Sequence, residues 1–524
     1  MTNAVLELTI RGINLRQQFE DLGNLADIAE AISVQRLAIQ HLPMGHAHMP
    51  RHLISLAISL NSRFRRTGNL PDLSEAISAK QRVVELTANG DQDMPHRLAT
   101  LGNSLWTRFQ HTGDVTDISE AILIQQKALQ LTPNGHREMP FWLSNLGVSF
   151  QSRFERTGDM SDIVQAISIQ QQATLLARSD SFDMPYMLNS LADTLYSSFQ
   201  HTGNPEDISI ATSIYRRSAK TSGPPLPRLD AAQKWAKLTT THDSPQSIEA
   251  YGVAIDLISQ VAGMDSTVEE RHRHLIDISS LTTAAAAAAF TLGESQKALE
   301  WLEQGRCLVW NQLNQLRTPA EHLRAHDEHL GQRFLRISSA LESSSSRRYQ
   351  MYPSRDAPDS QKLAAIEVNS EYSTQLNLAR EWTQLLEEIR QIPVFSEFLR
   401  PPQASNLLQN LPPDGPIIII NVHETRCDAL ALISGRDAPI HILLDHFTHK
   451  QASELRDRLR GILLFHRIRG REVDRGPRPV LDDIAETQSE IHLVLEILWQ
   501  RVVKPIVDCL FNCVSLFGPA VLLC

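Results

Sequence analysis

His423 stands four residues before Cys427, and a histidine beside a thiol is the pair from which a nucleophilic cysteine is built. His441, His446 and His449 bring three imidazoles close together in the same region. Neither set completes a recognisable chemistry. His423 and Cys427 fall around the connection between two expected strands, which reads as a loop histidine and a strand cysteine. No carboxylate or cysteine completes a standard zinc spacing around the three histidines, and 20 histidines among 524 residues make such neighbours common. Cys509 and Cys513 are four apart and read as one helix face in a core. Binding chemistry is better represented. Arg63, Arg108 and Arg153 recur at a fixed step, and if they face a groove they read acidic side chains or a C-terminal carboxylate. The other reading is an exposed arginine covering a turn. Ser198, which breaks the row, favours it.

The elements that position these side chains are set by a repeat. Phe19, Phe64, Phe109, Phe154 and Phe199 lie 45 residues apart. Met49-Pro50, Met94-Pro95, Met139-Pro140 and Met184-Pro185 keep the same step, as do Thr67-Gly68, Thr112-Gly113, Thr157-Gly158 and Thr202-Gly203, with Leu22-Gly23 in the first copy. An unbroken period of this length means one supersecondary unit stacked on copies of itself. Proline suits a first helical turn, where its missing N–H costs nothing. The run Leu143, Leu146, Gly147, Phe150, Phe154 has the spacing of an amphipathic helix. The small residue after the second leucine (Ala57, Gly102, Gly147, Ala192) lets a neighbouring helix approach. Thr-Gly ends that helix with glycine at the left-handed position. The column Asp27, Asp72, Asp117, Asp162, Asp207 is expected at the N-cap of a second helix. Each unit is therefore helix, turn, helix and loop.

Helical hairpins with these Met-Pro, Arg-Phe-x-x-Thr-Gly and Asp-Ile-x-x-Ala-Ile blocks resemble tetratricopeptide repeats of the long-helix kind found in large fungal proteins, the aromatic di-alanine and tetratricopeptide type. The resemblance covers roughly residues 6–220. In the first copy Ala4-Val5 replaces Met-Pro and Arg11 stands where later copies have leucine. That copy is either a cap with one face to water or a point inside a longer array.

After residue 222 the strict period fades. Residues 223–340 read as degenerate helical repeats, with helices from Ser244 to about Val261, from Glu269 to about Leu292 through six alanines, and from Ala320 to about Leu341. Glu303 and Arg306 make a helical pair on a solvated face. Residues 341–361 read as a linker and 362–412 as connecting helices. Character changes at 413–510. The apolar run from Pro416 to Val422 reads as a buried strand, Asp428 to Ile433 as a second, Ile440 to Leu444 as a third, with a turn at Gly435-Arg436-Asp437 and a helix from about Lys450. The order resembles the opening of a CHAT domain, a caspase-like cysteine-protease fold that commonly ends such arrays. The family's catalytic histidine follows a later strand in a His-Gly context, and its cysteine the next strand in an Ala-Cys or Ser-Cys context. Only 19 residues follow Pro505, so neither motif is present and no active-site residue carries over. Residues 511–524 form an atypical apolar tail; the mostly apolar stretch from Ile506 to Cys524 is read as the unfinished end of that domain rather than as a membrane anchor, because Asp508, Asn512 and Pro519 interrupt it.

The chain is expected to be mainly α, an α-solenoid of TPR-like hairpins followed by a partial α/β caspase-like (CHAT) segment. A net charge of −10 and an isoelectric point near 6.1 argue against a nucleic-acid partner. Five sparse cysteines fit a reducing cytoplasm, and no secretory signal opens the chain. The expected function is a protein-interaction scaffold for a protein or peptide partner, with Arg63, Arg108 and Arg153 in its groove. It has no cofactor, no metal and no catalytic residue of its own. The alternative is a sensor-regulated CHAT-type protease whose catalytic half is missing from this chain.

Overall fold

The computed structural model describes residues 3–43, 45–88, 90–178, 181, 183–242, 244–262, 268–315, 319–344, 381, 384–396, 398, 403–409, 411–413, 415–465 and 481–515. The expected linker therefore lies almost wholly outside the described residues, as do most of the connecting helices and the tail from 516 onward. Backbone contacts divide the chain into two compact units, each described by itself.

The first unit is built on five helical hairpins: α1 (Asn3–Leu22) with α2 (Leu25–Gln40), α3 (Met49–Thr67) with α4 (Leu70–Leu86), α5 (Met94–Thr112) with α6 (Val115–Gln130), α7 (Met139–Thr157) with α8 (Met160–Leu176), and α9 (Met184–Thr202) with α10 (Pro205–Lys220). Each first helix from α3 onward starts at the expected Met-Pro. Each ends where the phenylalanine carbonyl accepts the N–H of a glycine at 2.7–2.8 Å. Those five glycines have φ of 69–74°, which a side chain would strain.

The aspartate column sits elsewhere than expected. The N-caps are Asn24, Asn69, Asp114, Asp159 and Asn204, three residues earlier. Four of them accept the N–H two residues on. Asn69 does not, because that residue is Pro71, which has no N–H. The aspartates occupy the third helical position, in the positive field of the helix start.

The small-residue column works as a socket. A Cβ on Gly102 would stand 2.6 Å from Gln125 Cγ, and one on Gly147 would stand 2.4 Å from Gln170 Cγ. Each glycine thus admits a long side chain of its own hairpin's second helix, and Gln125 and Gln170 are buried. Between hairpins, residues of different chemistry do one job. His46, Asp91, His136 and Ser181 each accept the N–H two residues on, just ahead of the next first helix.

Helices continue through α11 (Pro225–His242), α12 (Ser244–Ala262), α13 (Val268–Thr291), α14 (Ser295–Gln315), α15 (Pro319–His326) and α16 (Glu328–Ser344). The single helix expected over 320–341 is therefore two. Asp327 lies between them and its carboxylate accepts the Leu330 N–H at 3.0 Å, capping α16. Glu303 and Arg306 approach at 3.4 Å on α14, as a mostly exposed pair.

The second unit holds most of α12 and α13, then α14, α15 and a three-stranded antiparallel sheet. Its strands are β1 (Ile417–Val422), β2 (Cys427–Leu432) and β3 (Ile440–Leu443), in that order. A short α17 (384–390) and α18 (Ala404–Gln409) precede it; α19 (His449–Phe465), α20 (Leu481–Leu498) and α21 (Lys504–Ser515) follow. The isoleucine run of β1 is an edge strand with Ile417 and Ile420 exposed, not the buried strand expected; β2 takes that place with every residue buried. One sheet face, with Cys427, Ala429, Ala431 and Ile442, packs against Leu455, Val494, Val502 and Ile506 of the following helices. The other meets the end of α13, where Asn421 donates to the Thr283 carbonyl at 3.1 Å. The alanine run of α13 is buried there, which lets the backbone come close. Residues 499–503 widen into a π-helical turn before Pro505, whose missing N–H breaks the regular ladder. Among the described residues, no helix is long and apolar enough to cross a membrane.

Candidate functional site

The arginine row is engaged inside its own hairpins. Arg63 donates from Nε and Nη2 to both carboxylate oxygens of Asp72, at 2.7 and 2.6 Å. Arg108 does the same to Asp117 at 2.8 and 2.5 Å, and Arg153 to Asp162 at 2.7 and 2.6 Å. The aspartates are buried and the arginines half-buried. Hydrogen bonding to the carboxylate raises the Arg108 and Arg153 guanidinium pKa values above the usual. In the fifth hairpin Ser198 takes the same place, donating to Asp207 at 2.7 Å. The row therefore ties the end of the first helix to the start of the second in the second to fifth hairpins. It unites the arginine and aspartate columns, which sequence reading kept apart.

A different set of residues forms a part-exposed face of the first helices. Residues seven apart return to nearly the same side of a helix. Residues 6, 13 and 20, with their counterparts 45 and more residues on, form such a stripe on every first helix. It reads Leu6, Ile13, Glu20; Arg51, Ile58, Arg65; His96, Asn103, Gln110; Phe141, Val148, Glu155; Tyr186, Asp193, Gln200. Every one of these residues is exposed or half-exposed. Some members of the stripe, and residues beside it, make contacts between successive first helices. Ser62 donates to Glu20 at 3.3 Å, Trp106 Nε1 to Ser152 at 2.9 Å, Gln110 to Ser152 at 3.2 Å, and Ser197 to Glu155 at 2.8 Å. First helices of neighbouring hairpins pack on one another at α1 and α3, α5 and α7, and most extensively α7 and α9.

The stripe changes chemistry along the array. Arg51 and Arg65 make the second hairpin basic, while Phe141, Val148 and Tyr186 make the fourth and fifth apolar. Asp193 is held by Lys234 at 2.7 Å and by the Tyr215 hydroxyl. Sequence reading missed the stripe because it followed the columns that stay the same. The usable signal was the opposite one: a column whose residue differs in all five copies (Leu6, Arg51, His96, Phe141, Tyr186), with two neighbouring columns that also vary.

The histidine and cysteine candidates lie in the second unit. His423 is in the β1–β2 turn, its Nδ1 2.9 Å from Thr425 Oγ1. Burial pushes the Cys427 thiol up and the His423 imidazole down, the reverse of an activated thiolate–imidazolium pair. His441 leaves the expected histidine trio. Its ring stacks on Phe290 at 4.6 Å, and its Nε2 lies 2.8 Å from Asp428 Oδ1. Arg426 grips the same fully buried carboxylate at 2.8 and 2.6 Å and also donates to Thr291 Oγ1 at 3.0 Å. Burial alone would raise Asp428; the His441 and Arg426 bonds hold it below the ordinary aspartate value. This cluster fastens the sheet to α13. No group of three metal-capable side chains occurs among the described residues.

No protein-family model matches the chain, and no curated protein matches it. Two solved structures of a Podosopora anserina protein, described as a kinesin light chain with nearly identical TPR-like repeats, align with 42% of this chain and 100% of their own. Their identities are 12% and 13% and their TM-scores 0.32 and 0.31, the first being a point variant of the second. A de novo designed helical repeat protein aligns with 58% of this chain and 95% of its own, at 15% identity and a TM-score of 0.09. By its own hairpin geometry, the first unit is a TPR-like α-solenoid.

Proposed function

We propose that the repeat unit is a protein-interaction scaffold that holds a peptide or partner helix along the part-exposed face of its first helices. The observation that carries this reading is the stripe at residues 6, 13 and 20 and their counterparts. Its residues stay exposed or part-exposed in all five hairpins and vary in type where the packing columns do not. Phe141 and Tyr186 are its apolar anchors, and Arg51 and Arg65 its cationic ones. Arg63, Arg108 and Arg153 enter as braces that fix each hairpin's angle, since their forks are closed on aspartates. We read 413–510 as the opening of a caspase-like (CHAT) domain, supported by the order of strand, hairpin and helix, and we assign it no chemistry. The sparse cysteines support a reducing, cytoplasmic setting, and the acidic balance supports a protein rather than a nucleic-acid partner.

The test is selection from a displayed peptide library against the full chain. Enriched peptides are then measured against Phe141→Ala/Tyr186→Ala. The expected result is enrichment, with at least about a tenfold loss of affinity in the variant, about 1.4 kcal/mol. No enrichment, or peptides that bind the variant equally, overturns the proposal.

A further inference from the structure

The second helices turn one face to the core of the stack and the other outward. On α2 and α4 the outward face is charged: Glu30 pairs with Arg11, Arg36 with Glu75 at 2.5 Å, and Arg82 with Glu85 at 2.8 Å. α8 is different. Its core face is Asp162, Ile163, Ala166, Gln170 and Ala173. Asp162 is its sole ionisable residue and is bound to Arg153. The outward face therefore carries no charge over 17 residues. It presents Val164 at 60% exposure and Leu175 at 83%, with Met160 and Leu176 exposed beside them. Leu123 of α6, 67% exposed, and Ile210 of α10 add apolar surface on either side. Soluble surfaces seldom leave a helix face so bare of charge unless something covers it.

The order of residues on that face says what the cover is. Along its centre line stand Val164, Ser168, Gln171 and Leu175, all exposed, at steps of four, three and four. The pattern is apolar, polar, polar, apolar, and it reads the same in both directions. A two-fold contact between identical helices running antiparallel needs such a palindrome, because each residue meets the one equally far from the axis. Placing the axis between Ser168 and Gln171 sets Val164 of one copy on Leu175 of the other at both ends. The serine hydroxyl then meets the glutamine amide of the opposite copy on both sides of the axis, so the polar pair is satisfied and fixes the register. The absence of charge points the same way: a neutral face meets its own copy without like-charge conflict, whereas a charged partner finds nothing there to pair with.

We propose that this chain self-associates into a two-fold dimer through the outward face of α8, with the two α8 helices antiparallel. This inference is independent of the first-helix reading, since the two surfaces lie on different helices of each hairpin. The contact spans about four helical turns. An interface this small lies at the weak end of the range, so the dimer forms reversibly at about 10–100 µM.

Sedimentation of the full chain across that concentration range tests it. The wild type is expected to rise from 58.8 kDa toward twice that mass. Val164→Glu/Leu175→Glu is expected to stay monomeric with unchanged helical circular dichroism, because both positions are largely exposed. Val164→Lys/Leu175→Lys is likewise expected to be monomeric alone, and an equimolar mixture of the two variants to restore the dimer. That rescue shows that both variants are folded and meet through this face. The antiparallel pairing is read by Val164→Glu/Leu175→Lys, which is expected to dimerise alone because the new carboxylate at position 164 meets the new ammonium at position 175 of the other copy; a monomer there overturns the antiparallel pairing. A wild type that stays monomeric throughout, a dimer untouched by the substitutions, or a mixture that fails to reassociate overturns the proposal.

Discussion

Replacing Gly147 with alanine puts two opposed effects on one residue. Within a helix, alanine is favoured over glycine by about 1 kcal/mol. In α7 the added Cβ would stand 2.4 Å from Gln170 Cγ, 2.9 Å from its Cδ and 3.1 Å from its Nε2. Gln170 is fully buried, so its side chain has no solvent to swing into. Overfilling a packed site costs about 1–3 kcal/mol. With a steric approach this close the overfilling wins, and Gly147→Ala is expected to lose up to about 2 kcal/mol net. The control is Gly461 of α19, where an added Cβ meets nothing within 4 Å. Gly461→Ala should gain up to about 1 kcal/mol from propensity alone. Urea unfolding followed by the fluorescence of Trp142, buried on α7, reads the fourth hairpin directly. Adding Gln170→Ala should remove the clash, giving a coupling of at least about 1 kcal/mol in the double-mutant cycle. If Gly147→Ala stabilises the protein as Gly461→Ala does, or if the cycle shows no coupling, the socket reading is refuted.

The braces and the first interface give two further expectations. Arg153→Ala strands the buried Asp162 and should cost about 2–4 kcal/mol, whereas Arg153→Ser should recover part of the loss, because Ser198 already serves Asp207 that way at 2.7 Å; equal losses in denaturant titrations would refute the brace. Burial, with help from the Arg51 charge, pushes His52 from 6.5 down to about 4, and its Nδ1 lies 3.4 Å from Thr9 of α1. A folded-state value below the unfolded one means the unfolded chain takes up the proton first. Stability is therefore fully present above pH 6.5 and falls by about 3 kcal/mol as pH drops toward 4. His52→Gln should flatten that limb in amide-exchange measurements on α1 and α3, and an unchanged slope would count against it.

What could be read from the amino acids follows from how often the chain states each rule. The turn glycines, the Met-Pro starts and the phenylalanine column are stated four or five times, and local geometry alone enforces them. The strands were legible too, since β-branched apolar runs between turn residues have few other uses. What failed was assignment of partners across space. The aspartate column looks like a cap because aspartate caps helices; only the fold shows that the residue three earlier does so, freeing the aspartate for an arginine nine residues before it. The isoleucine run looks more deeply buried than the alanine-rich strand beside it, yet strand order decides burial, and order is a non-local property. The first-helix stripe was hidden for the opposite reason. In a repeat, sameness records what every copy needs in order to stack. Difference records what the copies are free to vary, or are used to vary. Function in such an array therefore belongs where the period is broken in residue type but kept in position. Leu6, Arg51, His96, Phe141 and Tyr186 share one place on five helices and have almost nothing chemical in common. Packing alone does not account for that variety, because none of the five is fully buried; the proposed ligand, meeting each hairpin at a different point along its length, would.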